Sequence, residues 1–318
     1  MKKYWPIALY IPSTAGAAVY AKVSFENISP FLVTFVTFVL CWAFFLIINR
    51  MRLSRLVEVM IDERLNFAKL NVYTFLCWVS IFACIKLLSG SVELVVFMSV
   101  VPLFTVFAGR EWPYIGSLNR WSVVGIAFMA MVVVFVHPQM REYGTERQML
   151  GLMVGLVAGA FAAVYIILSA EVQKRNALTS VDLICLRLPL LVAATFVISI
   201  QELMQVLSME FLLKASFLSL VAVVIPAYTL QQSITEIGSI PTSVLMPLVT
   251  AVALGFEWGG GLELSLIGVV AILVQCVAIM KVSLSLGATR NKMKGLTPTI
   301  GGDLSSNLRK TSSTASRF

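Results

Sequence analysis

Arg187 stands inside an otherwise apolar run over 183–200. A guanidinium there is costly to keep, so it is a functional candidate by default. Its planar fork of donors suits a carboxylate or a phosphate better than an ammonium would. Asp182 precedes it closely, which leaves a second reading: the Arg reaches toward a polar interface or pairs with that Asp. Lys86 and Glu93 flank the short connection 88–92 and are read either as an ion pair closing an outer gate or as a solvated pair at a rim. Glu236 falls in another connection, and Glu111 and Glu257 close apolar runs, where capping or pairing is expected. His137, the only histidine, precedes Pro138 at the end of a run and is read as structural.

The uncharged polar and aromatic residues form a second set. Tyr10, Ser13, Thr14 and Tyr20 share one run; Tyr73 and Trp78 share another; Tyr165 lies in a third, and Tyr228, Gln231 and Gln232 lie in a fourth. These are candidate cavity residues, each with packing or interface placement as the alternative. Gln231 and Gln232 stand out because a primary amide in hydrocarbon needs a partner or water. Neighbours on a helix point about 100° apart, so at most one of the two faces a cavity directly. Pro102 and Pro247 each remove a backbone donor within an apolar run and are candidate hinges or plain kinks. Gly151, Gly155 and Gly159 recur every four residues and predict a bare helix face for close packing.

Enzyme chemistry is not expected. The chain holds no HExxH, no GxSxG, and no acid and base at catalytic spacing. The cysteines Cys41, Cys77, Cys84, Cys185 and Cys276 all sit in apolar runs and read as packing residues. Cys77 and Cys84 could share a helix face, but no histidine is near. No metal site and no cofactor is predicted.

The elements that must position these residues follow from composition. Of 318 residues, 59% are apolar and only 13% are charged, about half the share of an ordinary soluble domain. The apolar runs repeatedly approach the roughly 20 residues that a helix needs to cross a bilayer. Ten spans are predicted, at 6–23, 30–48, 70–88, 92–109, 121–136, 150–170, 183–200, 211–231, 240–256 and 264–281. The opening residues resemble a signal-peptide start, yet no cleavage site follows, and a retained first helix is expected. The net charge of +8 is spread over loops and tail and makes no nucleic-acid surface. Loops predicted inside carry Arg50, Arg52, Arg55, Arg64, Lys69, Arg110, Arg120, Lys174 and Arg175, against few cations outside. Both termini are therefore expected on the cytoplasmic side of a plasma membrane, a bacterial inner membrane in this reading. Residues 286–318, rich in Ser, Thr, Gly and Lys/Arg, are expected to be a disordered basic tail.

The chain also repeats itself. Ala17-Ala18-Val19-Tyr20 returns as Ala162-Ala163-Val164-Tyr165, an offset of 145. Pro102-Leu103-Phe104-Thr105 returns at the same offset as Pro247-Leu248-Val249-Thr250, each followed by a Glu-Trp pair, Glu111-Trp112 and Glu257-Trp258. Five spans per unit is odd, so the units at 1–138 and 139–285 must enter the membrane from opposite sides, the inverted repeat of many secondary carriers. With Pro in spans four and nine and a Glu closing each, the chain resembles the EamA-like, ten-helix branch of the drug/metabolite transporter superfamily over residues 4–285. The resemblance implies an all-α polytopic membrane protein whose two five-helix units enclose a cavity lined by spans one, three, four, six, eight and nine. It implies export of a small metabolite such as an amino acid by alternating access. A metal-chelating metabolite or a nucleotide-like cofactor is the alternative cargo, and a non-transporting sensor the alternative role. Expected partners are a small-molecule substrate and the lipid bilayer, with a homodimer open. One departure stands out: Arg187 takes the place where the first unit has Trp42.

Overall fold

The structure, a computed structural model, describes residues 2–25, 27–88, 90–109, 117–137, 144–206, 208–261 and 266–296. These residues form helices and turns, with no strand among them. The helices are α1 (Trp5–Phe25), α2 (Pro30–Ile48), α3 (Leu53–Asp62), α4 (Arg64–Leu87), α5 (Gly90–Ala108), α6 (Ser117–Val136), α7 (Thr145–Arg175), α8 (Ser180–Arg187), α9 (Pro189–Val206), α10 (Met209–Leu218), α11 (Ile225–Ile237), α12 (Ser239–Leu245), α13 (Leu248–Gly259) and α14 (Leu266–Leu296).

Six helical segments among the described residues are long and apolar enough to cross a membrane: Pro30–Ile48, Arg64–Leu87, Thr145–Arg175, Ser180–Met204, Met209–Ile237 and Ser239–Gly259. Val92–Ala108, Arg120–Val136 and Leu266–Val282 are shorter apolar helices. Large apolar side chains stand outward along them, among them Phe128, Phe135, Val197, Leu213 and Leu273, each at least 60% exposed. Water would penalise that surface and hydrocarbon does not, so the chain is an integral, polytopic membrane protein.

Local chemistry sets the helix ends. Ser29 caps α2 by accepting from the Leu32 N–H, with Pro30 at the first helical position, where its missing donor costs nothing. Within α2 the Thr34 and Thr37 hydroxyls donate back to the carbonyls of Pro30 and Val33, at 2.6 and 2.7 Å, hiding both groups from lipid. Thr179 and Asp182 form a reciprocal capping box at the start of α8. Between α11 and α12, Gly238 holds φ at 98°, a left-handed turn that a side chain would strain.

Packing turns on α7. A Cβ added to Gly151 would sit 2.5 Å from the Leu88 side chain, one on Gly155 2.8 Å from Val96, and one on Gly159 3.2 Å from the Phe97 carbonyl. The bare face is therefore a close-packed seam, by which α7 lies against α4 and α5. Further contacts pair α1 with α11 and α13, α2 with α9, and α6 with α14; α5 packs on α6, and α2 on α4.

Three of the apolar segments are broken. The predicted span 183–200 is two helices, α8 and α9, because Pro189 cannot supply the N–H that the Cys185 carbonyl needs. Instead that carbonyl accepts from Trp42 Nε1 at 3.0 Å. Asn71 of α4 bridges the next gap: its amide donates to the Leu186 carbonyl at 2.8 Å, and its oxygen accepts from the Leu190 N–H at 3.2 Å. The second break is a wide π-helical stretch, Ser219–Val224, just before Pro226. The third falls at Pro247, between α12 and α13, whereas Pro102 lies inside an unbroken α5. At the other end of the chain, α14 runs on to Leu296, past residue 285, where a loose tail was expected to begin. Ala288, Arg290, Lys292, Met293 and Lys294 are all good helix formers.

Candidate functional site

The break at Pro189 places a charge deep in the bundle. Helix α8 rises from its capping box at Thr179 for eight residues, roughly 12 Å, and ends on Arg187, whose side chain is 1% exposed. A rim position reaching solvent is thereby excluded. Asp182 does not pair with it: that carboxylate accepts from the Thr179 N–H at 2.8 Å and lies 3.9 Å from Arg52.

Arg187 Nη1 donates to Gln231 Oε1 at 3.2 Å, and the guanidinium carbon lies 5.4 Å from the centre of the Tyr165 ring, a cation–π arrangement. Gln231 in turn donates to Gln173 Oε1 at 2.7 Å, and the Thr235 hydroxyl donates to the same oxygen at 3.0 Å. The chain of amides fixes one edge of the guanidinium from behind. Arg187 Nε has no hydrogen-bond partner among the described residues.

That donor borders a cavity. The wall is built by α1 (Tyr10 and Thr14), α4 (Trp78), α5 (Glu93), α7 (Tyr165) and α8 (Arg187), and the stretch from Leu218 to Leu230 closes one side with apolar groups. The small residues Ala17, Ala18 and Ala21 on α1 leave the space open. Its volume is about 60 Å³, room for about four or five waters. Of the other lining residues, Glu93 has both side-chain oxygens buried without a hydrogen-bond partner among the described residues. Tyr10 is occupied, its hydroxyl 3.8 Å from Met98 Sδ.

Glu93 departs most from the sequence reading. Expected at the rim opposite Lys86, it is fully buried, at 0% exposure, and it points to the cavity. It begins the first turn of α5, but α5 is tucked inward beside α7 along the glycine seam, and that brings its first turn into the interior. Lys86 stays exposed at the end of α4 and borders a smaller pocket against Pro30 and Val33 of α2; no ion pair joins it to Glu93.

The other candidates scatter. Trp78 and Tyr165 reach the cavity wall, and Gln231 stands behind Arg187. Gln232 turns away, accepting from the Ser180 hydroxyl at 2.9 Å and donating to Glu236 at 2.8 Å. Tyr20 packs edge-on against Phe25 and Phe217, and Tyr73 stacks on Phe161. Tyr228 packs half-buried against the core and is not in the cavity wall. Pro102 is buried in α5 and Pro247 caps α13. Glu257 meets His137 at 3.4 Å, whereas Glu111 lies outside the described residues. All five cysteines are free, and no cluster of metal-ligating side chains occurs among the described residues.

Below the cavity, two ion pairs tie α7 and α8 to the segment around α3: Arg175 to Glu63 at 3.3 Å and Arg52 to Asp182 at 3.9 Å. The Asn66 side chain donates to Glu63, and this bond, helped by Arg175, holds the Glu63 carboxyl below the usual glutamate range.

Sequence reasoning missed Asn71, although an Asn within an apolar run was a visible signal. No family model matches the chain, and no curated protein matches it. A solved crystal structure, described only as that of a protein, covers 88% of this chain and 94% of its own at a TM-score of 0.59 and 17% sequence identity. At that identity the likeness is one of fold alone.

Proposed function

We propose that this protein is a secondary carrier that moves a small metabolite across the membrane by alternating access. Its ten crossing helices form two inverted five-helix units, 1–138 and 139–285, as in the EamA-like drug/metabolite transporters that the sequence resembles. The observation that carries the reading is the cavity itself: a space within an apolar bundle, walled from both units, where the buried Glu93 carboxyl has no partner and the buried Arg187 keeps one free donor. Such groups inside a membrane mark substrate or ion pathways. The packing supports the repeat. Exchanging α1 with α7, α2 with α8–α9, α4 with α10–α11, α5 with α12–α13 and α6 with α14 turns the α4·α7 contact into α10–α11·α1, and α5·α7 into α12–α13·α1. The contacts of α2 with α9 and of α6 with α14 return to themselves.

An amphiphile of amino-acid size fits the apolar wall and the free Arg187 donor, provided the narrow space widens as the units rock. Arg187 equally favours an anionic cofactor-like cargo, the second reading. The test is flux of labelled amino acids and small anionic metabolites into proteoliposomes, with and without a pH gradient. Movement of one class supports the carrier, and binding without movement supports a sensor. Reporters in the 88–90 and 259–266 connections must both face the side opposite residues 50–63; one on each side removes the inverted arrangement.

A further inference from the structure

Glu93 is the buried group to which the carrier reading assigns no partner. Its carboxylate is fully enclosed, lacks any hydrogen-bond partner, and faces a cavity whose wall also holds Arg187 with a free Nε. The two ionisable groups line one cavity, yet they form no ion pair within 4 Å. Ionising either buried group alone is expensive; the natural complement is a ligand that brings a cation to the acid and an anion to the guanidinium. Arg187 is held from behind by Gln231 and from the side by Tyr165, so it cannot swing to Glu93 without losing both contacts. The rest of the wall is largely apolar and aromatic, with Trp78, Phe82 and Phe97 among its residues.

We propose that the cavity is a zwitterion site in which Glu93 receives a cationic amine and Arg187 an acidic group of the same molecule. An apolar body then lies against the aromatic wall. The proposal rests on the carrier reading only for the cargo's fate; the binding site stands by itself. Thr14 adds a further hydroxyl to the same wall.

The experiment measures equilibrium binding to the full-length protein in lipid nanodiscs, by calorimetry. The probes come in sets of matched body: alanine, leucine and phenylalanine, each with its decarboxylated amine and its deaminated acid. At least one zwitterion is expected to bind ten times or more tighter than its own amine and acid. Glu93→Gln then weakens that zwitterion and its amine at least tenfold while leaving the acid within twofold. Arg187→Gln does the reverse, sparing the amine. Size-exclusion profiles and thermal midpoints confirm that each variant is folded, and retained binding of its spared probe confirms it again. The proposal is overturned if no zwitterion binds, if amine or acid binds as well as the zwitterion, or if either variant weakens all three probes alike. Flux in proteoliposomes separates the two proposals: the crossed binding pattern without flux removes the carrier and keeps the site, and flux without the pattern does the opposite.

Discussion

Replacing Asn71 with Leu keeps the size of the side chain but removes the bridge across the α8–α9 break. The Leu186 carbonyl and the Leu190 N–H then both lose their partner in a region where Asn71 itself is only 9% exposed. Each orphaned buried group costs about 1–3 kcal/mol, and bonds inside membrane proteins measure weaker, near 0.6 kcal/mol on average. Twice the first figure, discounted toward twice the second, gives a destabilisation of about 1–4 kcal/mol for the pair. The decisive step is a second substitution. Pro189→Ala restores the missing N–H, which lets the helix run through from Cys185 and brings Leu190 back into reach of the Leu186 carbonyl. In that background Asn71→Leu orphans nothing, and its cost should fall by at least about 1 kcal/mol, a coupling above the error of a double-mutant cycle. Unfolding in mixed micelles of rising SDS fraction, followed by tryptophan fluorescence, measures all four proteins. An equal cost for Asn71→Leu in both backgrounds would refute the idea that the amide repairs the proline break.

Two further outcomes test the scaffold. Gly159→Ala presses a methyl to 3.2 Å from the Phe97 carbonyl, so α5 must shift and stability should drop by about 1–3 kcal/mol, whereas Gly125→Ala, with nothing within 4 Å, should change thermal unfolding by less than about 0.5 kcal/mol or raise it. Glu63 has a folded-state pKa below the ordinary glutamate value of about 4.3, so its contribution is present above that value and is lost as pH falls through the depressed one. The unfolding midpoint of wild type should exceed that of Glu63→Gln at pH 7, with the gap closing only below about pH 4.3; a gap independent of pH contradicts the assignment. Because the Asn66 hydrogen bond is the main cause, Asn66→Ala should move the closing point up further than Arg175→Gln does.

Much of the membrane character was legible in the sequence because length and hydropathy are local properties. Among the described residues every apolar run is helical, and the glycine triplet gave its close seam because spacing four fixes a face whatever the partner. What sequence could not give was depth. Arg187 and Glu93 both sit near the ends of predicted spans, and counting residues from a span end put both near an interface. Pro189 cut one span in two and made its first half a short rod ending on Arg187; the glycine seam tucked α5 inward, which carried Glu93 into the interior. Both displacements depend on partners far away in sequence. The same holds for the repeated tetrapeptides: Tyr165 faces the cavity, but Tyr20, its counterpart, packs against Phe217.

That inequality bears on how a repeat can work on a small cargo. At the 145-residue offset, Tyr10 and Thr14 of α1 correspond to Gly155 and Gly159 of α7. Where α1 keeps polar side chains on the cavity, α7 has none and closes against α5 instead. Trp42 and Arg187 are likewise counterparts: the indole satisfies a carbonyl at the α8–α9 break, and the guanidinium faces the space. Glu93 matches Gly238, the left-handed turn before α12. Among the described residues, the proposed units therefore each set one acidic or basic residue on the cavity, Glu93 and Arg187, at unrelated positions. A cargo with a single charge gains from one unit alone and does nothing to draw them together. A zwitterion touches both, and its binding energy is realised in full only when the units close on it, which is the differential interaction that a conformational equilibrium requires before a ligand can shift it.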